Sequence, residues 1–292
     1  MTEYSNPEVP HEVNVGKSRP ILDFLRLLSG LCLVLAAVVS LVYFGARFFA
    51  PKIPFRYEGA FNESLLKGSH LFGKHPAFLC AAEEKIALQT LQSMAEGLSV
   101  AMDLPEEMNI HVRFFGGRDP NAFATLGGNV AISRALLKNI HTENGLAMVL
   151  AHEIAHIRHR DPIVSLGGGA AVALLLSAFT GNADGGLLAA WVADSTRMSF
   201  SRAQEDKADS AALAALKTYY GYSNGADEFF VYIIKKRSET PSLPVFFGTH
   251  PMPEARLQAI LSSFDSVSRP LKPLPDELLR LKSCWPGTWT DD

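Results

Sequence analysis

Hydrophobic residues form one long uncharged run near the start of the sequence and shorter periodic runs after it. The long run, from Leu27 to Ala46, contains 20 residues and lies between Arg26 and Arg47. At about 1.5 Å per residue, a helix of that length spans the roughly 30 Å of a bilayer core. The pattern predicts one membrane-spanning helix over 27–46, with the rest of the chain on one side of the membrane.

The later hydrophobic positions follow helical spacing in most segments and strand spacing in a few. Capping residues and glycine pairs mark where these segments begin and end. The predicted elements are a helix from Ala81 to Met102, a strand from Asn109 to Phe115, two short strands joined at Gly127-Gly128, a short helix capped by Ser133, a long helix opened by Thr142 and Asn144, mostly helical chain as far as Thr218, and helices over 225–237 and 253–265. They predict a mainly helical α+β fold with a small sheet next to the long helix.

Composition and charge limit the classes of function. The chain has 292 residues, of which 48% are hydrophobic and 20% charged, as in a folded protein. Its net charge is −3 and no basic run carries interleaved aromatics, so we expect no nucleic-acid partner. The expected organisation is a disordered tail (1–20), the anchor (21–50), a linker (51–80), a folded domain (81–270) and a C-terminal extension (271–292).

The sequence gives little information about which side of the membrane the folded domain occupies. Three basic residues precede the anchor and three follow it, so the positive-inside rule gives a tie. Cys80 and Cys284 lie near the two ends of the predicted domain. They are compatible with a bridge formed in an oxidising compartment and equally with two unpaired buried cysteines. We expect a cytoplasmic N-terminus and an exported domain.

Two histidines in the sequence HEIAH stand four residues apart, as His152 and His156. On an α-helix this spacing puts both imidazoles on one face, where they can share a metal ion. Glu153 lies about 100° around the helix from His152, so it can reach a water molecule without binding the metal. A catalytic zinc ion needs three protein ligands and one open position, so a third ligand must come from elsewhere in the chain.

A second pair of residues four apart, Glu205 and Asp209, lies in the downstream sequence SFSRAQEDKADSAALAAL. Both carboxylates would share one helical face, and the alanines permit close packing against another helix. Glu205 as a ligand, with Asp209 accepting a hydrogen bond from a ligand histidine, would complete the site. Taken alone, these residues also allow the more common alternative of a solvated charged face.

Four motifs in the same order give the sequence a family resemblance. They are NAFATLGGNVAISRALL, ENGLAMVLAHEIAHIRHRD, SRAQEDKAD and THPMPEARL, and they extend over about residues 80–265. The sequence resembles the membrane-associated HExxH zinc metallopeptidases related to HtpX, Oma-type proteases, BepA and the CAAX prenyl endopeptidase. The resemblance implies a zincin-type domain with a small sheet or hairpin beside the active-site helix.

The resemblance also implies a role for each matching residue. His152, His156 and Glu205 would hold one zinc ion per chain, Glu153 would activate water, and Asp209 would orient a ligand histidine. His250 would lie near the metal, either stabilising the oxyanion or occupying the open position. The edge strand that binds the substrate backbone would consist of Asn121, Ala122, Phe123, Ala124 and Thr125.

One apolar segment differs from the corresponding region of those family members that cross the membrane several times. Residues 163–180 lie between the two zinc motifs, where a single crossing would separate Glu205 from His152 across the bilayer. We therefore expect a glycine-rich helical hairpin packed on the domain or lying at the membrane surface. This argues against an intramembrane chamber and against processing of prenylated peptides.

The sequence thus predicts a single-pass zinc endopeptidase of the gluzincin type. Its expected substrates are misfolded or envelope proteins, and its expected place is the bacterial inner membrane, with the catalytic domain on the periplasmic side. Two alternatives remain at this point. One is a chaperone-like or assembly factor whose latent zinc site is blocked by His250, and the other is a structural zinc protein.

Overall fold

The computed structural model describes residues 19–59, 80–116, 119–169, 200–239, 250, 253–264 and 269–285. Helix α1 (Pro20–Phe49) contains the predicted anchor, begins with a proline in its first turn and buries no residue. Within the described part of the chain, only this helix and its short extension to Lys52 are long and apolar enough to cross a membrane. A long helix whose apolar side chains stay exposed matches a membrane-embedded segment.

Three strands form the small sheet in the order β1-β3-β2. Strand β1 (His111–Phe115) runs parallel to β3 (Asn129–Ser133), and β2 (Ala122–Thr125) runs antiparallel to β3. The predicted glycine pair joins β2 to β3, because Gly127 and Gly128 have φ angles of 67° and 77° that other residues rarely adopt. The hairpin is therefore confirmed, and β2 is left at one edge of the sheet.

The helices confirm the mainly helical prediction, with ends that differ by a few residues. Ser133 accepts a hydrogen bond from the Leu136 amide and Thr142 accepts one from the Gly145 amide, so both predicted caps are present. Asn144 lies in the first turn of the long helix. The helices of the domain are α2 (Ala81–Ala101), α3 (Arg134–Asn139), α4 (Glu143–Arg158), α5 (Arg202–Tyr220), α6 (Glu228–Glu239), α7 (Pro253–Ser262) and α8 (Asp276–Cys284).

The hydrophobic core is built around α4, which is buried along almost its whole length. Helices α2 and α5 and the sheet pack around it. The C-terminal segment joins the same core through Leu274, Leu278, Leu281 and Trp285. A disulfide between Cys80 and Cys284, whose Cα atoms are 6.0 Å apart, ties α8 to the start of α2.

The apolar segment 163–180 lies mostly outside the described residues. Its first part belongs to a helical stretch, residues 161–169, that follows α4. There Gly167 and Gly168 lie close to Ala46 and Ala50 and to Tyr43 at the end of α1, where a larger side chain would collide. The predicted hairpin remains a prediction, but the apolar helix α1 and the folded domain are in direct contact here.

Candidate metal centre

Helix α4 carries the histidine pair in the interior of the domain. His152, Glu153 and His156 are all buried, with side chains at most 5% exposed. Their position follows from the helix itself, since the apolar residues Leu146, Leu150 and Ile154 are fully buried on it. The helix therefore cannot rotate these polar groups into solvent without exposing its apolar residues.

Helix α5 packs directly against α4 and supplies the two predicted carboxylates. A capping box of Ser201 and Gln204 starts this helix. Ala208, Ala212 and Ala215 are buried along it, so the helix backbones can approach closely, as the sequence predicted. Glu205 and Asp209 consequently reach the histidines of α4 instead of forming a solvated face.

Four buried side chains bring one ligand atom each to a common point. His152, His156, Glu205 and His250 place these atoms within 4.8 Å of one another. The Nε2 atoms of His152 and His156 are 3.1 Å apart, and they lie 3.4 and 3.5 Å from the Glu205 carboxylate. His250 Nδ1 lies 3.1 Å from Glu205 and 3.4 Å from His152 Nε2.

The outer nitrogens of both histidines are held by carboxylates. His152 Nδ1 donates to Asp209 at 2.9 Å, and His156 Nδ1 donates to Asp161 at 2.8 Å. These hydrogen bonds select the tautomer in which the Nε2 lone pairs face each other and face Glu205. Such a set of electron-rich atoms is repulsive unless a cation lies between them. The residues therefore fit a metal ion bound by nitrogen and oxygen ligands.

The charges around the site also favour a cation. Burial alone would lower the pKa of His152, but hydrogen bonds to Asp209 and Glu205 outweigh it and raise the pKa to about 9. Burial would raise the pKa of Glu205, whereas His250, His152 and His156 hold it well below its usual range. The metal-free site is thus one that attracts protons, and a metal ion must displace them to bind.

Arg256 of α7 is buried beside both carboxylates of α5. It forms ion pairs with Asp209 at 2.7 Å and with Glu205 at 2.5 Å. The pKa of Asp209, which burial would raise, is lowered to about 2 by Arg256 and His152. Asp209 therefore stays ionised as the acceptor for His152.

Glu153 does not take part in the ligand cluster. Among the residues described, neither of its carboxylate oxygens has a hydrogen-bond partner, although the side chain is only 1% exposed. His250 Nε2 lies 3.5 Å from one of these oxygens. A buried carboxylate without donors is costly unless it serves a ligand or a water molecule. This is the position that a general base would occupy.

The predicted substrate strand lies directly beside the active helix. Strand β2 contacts α4, and the side chains of all four of its residues are buried. Asn121, just before it, pairs with Ser133 through its backbone. The buried Asn121 Oδ1 has no hydrogen-bond partner within the described ranges. Strand β2 thus lies at one edge of the described sheet, beside the helix that carries HExxH.

Three contacts of the site were not predicted. Asp161 fixes His156 and also accepts a hydrogen bond from Gln204 at 2.6 Å, which links α4 to α5. Phe200 stacks on the His156 ring, with centroids 4.0 Å apart. The only sequence signal for Asp161 is an acidic residue five positions after a ligand histidine, and many helix ends share that feature.

This combination of fold and site defines the class. A buried helix bearing HExxH, a second helix bearing a glutamate and a neighbouring edge strand are the parts of a metallopeptidase domain. The family model described as Peptidase family M48 matches residues 86–263, more than half of the chain. The chain therefore belongs to peptidase family M48, and this membership supports a metallopeptidase hydrolase.

Several curated relatives match the same region. A beta-barrel assembly-enhancing protease of Yersinia pestis is 31% identical over 152 residues, covering 47% of this chain and 31% of the relative. The mitochondrial metalloendopeptidase OMA1 of Schizosaccharomyces pombe is 28% identical (48% and 42% covered). A protease HtpX homolog of Polynucleobacter necessarius is 30% identical (49% and 63% covered). The chain spans about a third of the length of the assembly-enhancing proteases, so the similarity concerns the peptidase domain.

Proposed function

We propose that this chain is a membrane-anchored zinc endopeptidase that cleaves misfolded or envelope proteins. The observation that carries the proposal is the convergence of His152, His156 and Glu205 beside the carboxylate of Glu153, which accepts no hydrogen bond from the described residues. Two imidazoles and one carboxylate are the ligands of gluzincin-type zinc sites. A zinc ion held by them would polarise the peptide carbonyl and make water a stronger nucleophile.

Glu153 would move the proton. Its carboxylate takes a proton from the attacking water and delivers it to the nitrogen of the leaving amine, so no covalent intermediate with the protein forms. Asp209 and Asp161 keep the two ligand histidines in the tautomer that binds metal. Water exclusion comes from burial, because every residue named here is less than a tenth exposed.

The residues 121–125 would hold the substrate as an added strand. Strand β2 lies at one edge of the described sheet, in the order β1-β3-β2, and Asn121 Oδ1 has no hydrogen-bond partner among the described residues, so it could accept a hydrogen bond from a substrate amide. Backbone pairing of this kind tolerates many side chains. It suits misfolded polypeptides, and the names of the assembly-enhancing relatives point to proteins of the bacterial envelope.

His250 would close the site in its resting state. Its Nδ1 lies among the ligand atoms, where a fourth protein ligand would fill the position that a substrate carbonyl needs. The chain would then be an endopeptidase with a latent centre. The alternative of an assembly factor that does not cleave rests on the same contact, and the His250 variant treated in the Discussion separates the two.

Metal removal tests the proposed activity. The purified full-length chain in detergent is expected to cleave casein and an unfolded outer-membrane protein, to lose this activity with 1,10-phenanthroline, and to regain it when zinc is restored. We expect this dependence because the zinc ion would polarise the peptide carbonyl and activate the attacking water. Product formation by mass spectrometry and metal content by elemental analysis are the measurements. Cleavage that continues in demonstrably zinc-free protein would overturn the proposal.

We further propose a single-pass topology with the catalytic domain in the bacterial periplasm. The disulfide between Cys80 and Cys284 supports it, because such bonds persist in oxidising compartments. In intact cells, a thiol-reactive polyethylene glycol is expected to label these two cysteines only after reduction. Variants in which Cys32 is replaced by serine remove the remaining thiol and simplify the gel shift. Because the reagent does not cross the inner membrane, labelling that requires lysis of the cells but no reductant would place the domain in the cytoplasm.

A further inference from the structure

The segment between the membrane helix and the domain is packed into the active-site region. Phe55 and Glu58 are buried, at 8% and 5% exposed. Phe55 belongs to the main hydrophobic core, and the Arg160 guanidinium lies over its ring, 5.4 Å from the centroid. This part of the predicted linker therefore forms part of the domain.

The carboxylate of Glu58 joins two elements of the site. One oxygen pairs with Arg160 Nη2 at 2.6 Å, and the other accepts a hydrogen bond from the Gly127 amide at 3.1 Å. Gly127 lies two residues after the end of β2, in the turn that leads to β3. A Cβ atom at Gly127 would lie 2.7 Å from the Gly59 Cα, so the two backbones are in close contact. Glu58 thus fixes one end of the proposed substrate strand.

Arg160 joins the same carboxylate to the other side of the site. It lies in the turn after α4 with a φ of 62°, a conformation uncommon for a residue with a side chain. Its Nη2 also donates to the Ile53 carbonyl at 2.6 Å. The next residue is Asp161, which holds His156. The strained turn that brings Asp161 to the histidine is therefore held by residues next to the membrane helix.

We infer that Glu58 and Arg160 form a juxtamembrane clamp, in which Glu58 is a positioning residue for both the substrate strand and the ligand His156. Through this clamp, residues next to the end of the anchor would hold the active site in position. A glutamine in place of Glu58 has one acceptor oxygen where the carboxylate has two, so it would lose the contact with either the Gly127 turn or the Arg160 turn and weaken the link between them. The inference concerns the proposed peptidase, but its effect on metal binding can be measured whether or not cleavage occurs.

The test compares Glu58→Gln with Glu84→Gln in the full-length chain in nanodiscs. Glu84 also binds a buried arginine, Arg134, at 2.8 Å, but it lies outside the site. Both variants leave an arginine without its carboxylate, so we expect them to lower the folding stability by similar amounts. We expect Glu58→Gln to weaken zinc affinity about tenfold in chelator competition and to lower casein kcat/KM about tenfold at saturating zinc. Glu84→Gln should stay within about twofold of wild type.

The visible spectrum of the cobalt-substituted chain separates positioning from stability. We expect Glu58→Gln to shift the cobalt absorption bands as Asp161→Asn does, because both disturb the His156 ligand, and Glu84→Gln to leave them unchanged. If Glu58→Gln does not fold, Arg160→Met replaces it, since methionine has an apolar side chain of similar length but no donor for Glu58 or the Ile53 carbonyl. Wild-type spectra and zinc affinity in the clamp variant would overturn the inference. Absence of cleavage in every chain, including wild type, would instead overturn the proposed peptidase.

Discussion

Replacing Glu153 by glutamine is expected to lower kcat for casein hydrolysis by about 10²–10⁴-fold, the usual contribution of a general base. Glutamine has nearly the same shape but cannot accept the proton of the attacking water. The site has no evident substitute, because Asp209 and Glu205 are already bound to histidines and to Arg256. The loss should therefore fall on the chemical step, with KM nearly unchanged.

Metal binding should survive this substitution, since Glu153 lies outside the ligand cluster. Zinc content by elemental analysis and the melting temperature are measured beside the rate, so that a lost metal or an unfolded chain is recognised. Glu143→Gln is the matched control on the same helix. Its amide oxygen can still accept the hydrogen bond from Tyr220, and its side chain does not touch the centre. A Glu153→Gln protein that cleaves at the wild-type rate would remove Glu153 from the mechanism.

Much of the local structure could be predicted from the sequence because the signals are local. Hydrophobic periodicity placed α2 and the hairpin, and the side chains of Ser133 and Thr142 cap the helices that they precede. The spacing of four in His152 and His156 fixes their common face without reference to other elements. The ends of elements were less accurate, as with β1, which begins at His111 rather than at residue 109.

Partners from distant parts of the chain were harder to predict. Spacing alone allowed Glu205 to be a surface residue, and only the family resemblance selected it as a ligand. The pairing of Cys80 with Cys284 was left open, because two cysteines 204 residues apart carry no signal of proximity until the helices are packed. The same holds for Glu58, whose sequence neighbourhood resembles an irregular linker although its carboxylate is buried against Arg160. Such contacts depend on how helices and turns meet, and a one-dimensional pattern does not contain that information.

Replacing His250 by alanine is expected to raise the rate of casein cleavage about tenfold above wild type. The His250 imidazole lies in the ligand cluster, 3.1 Å from Glu205 and 3.4 Å from His152. Three protein ligands suffice to hold zinc, so its removal opens a coordination position without emptying the site. If the open form makes up about a tenth of the resting protein, complete opening raises the apparent activity by that factor.

Binding of a hydroxamate inhibitor gives a second measurement that does not depend on turnover, because such a ligand needs the same open position. Its affinity for His250→Ala is expected to rise about as much as the rate. His111→Ala, which removes an exposed histidine from β1, is the control and should change neither quantity. A fall in rate of about 10²–10³-fold with unchanged inhibitor affinity would show instead that His250 stabilises the oxyanion. In that case the resting site is open, and the low activity of a latent protease needs another cause.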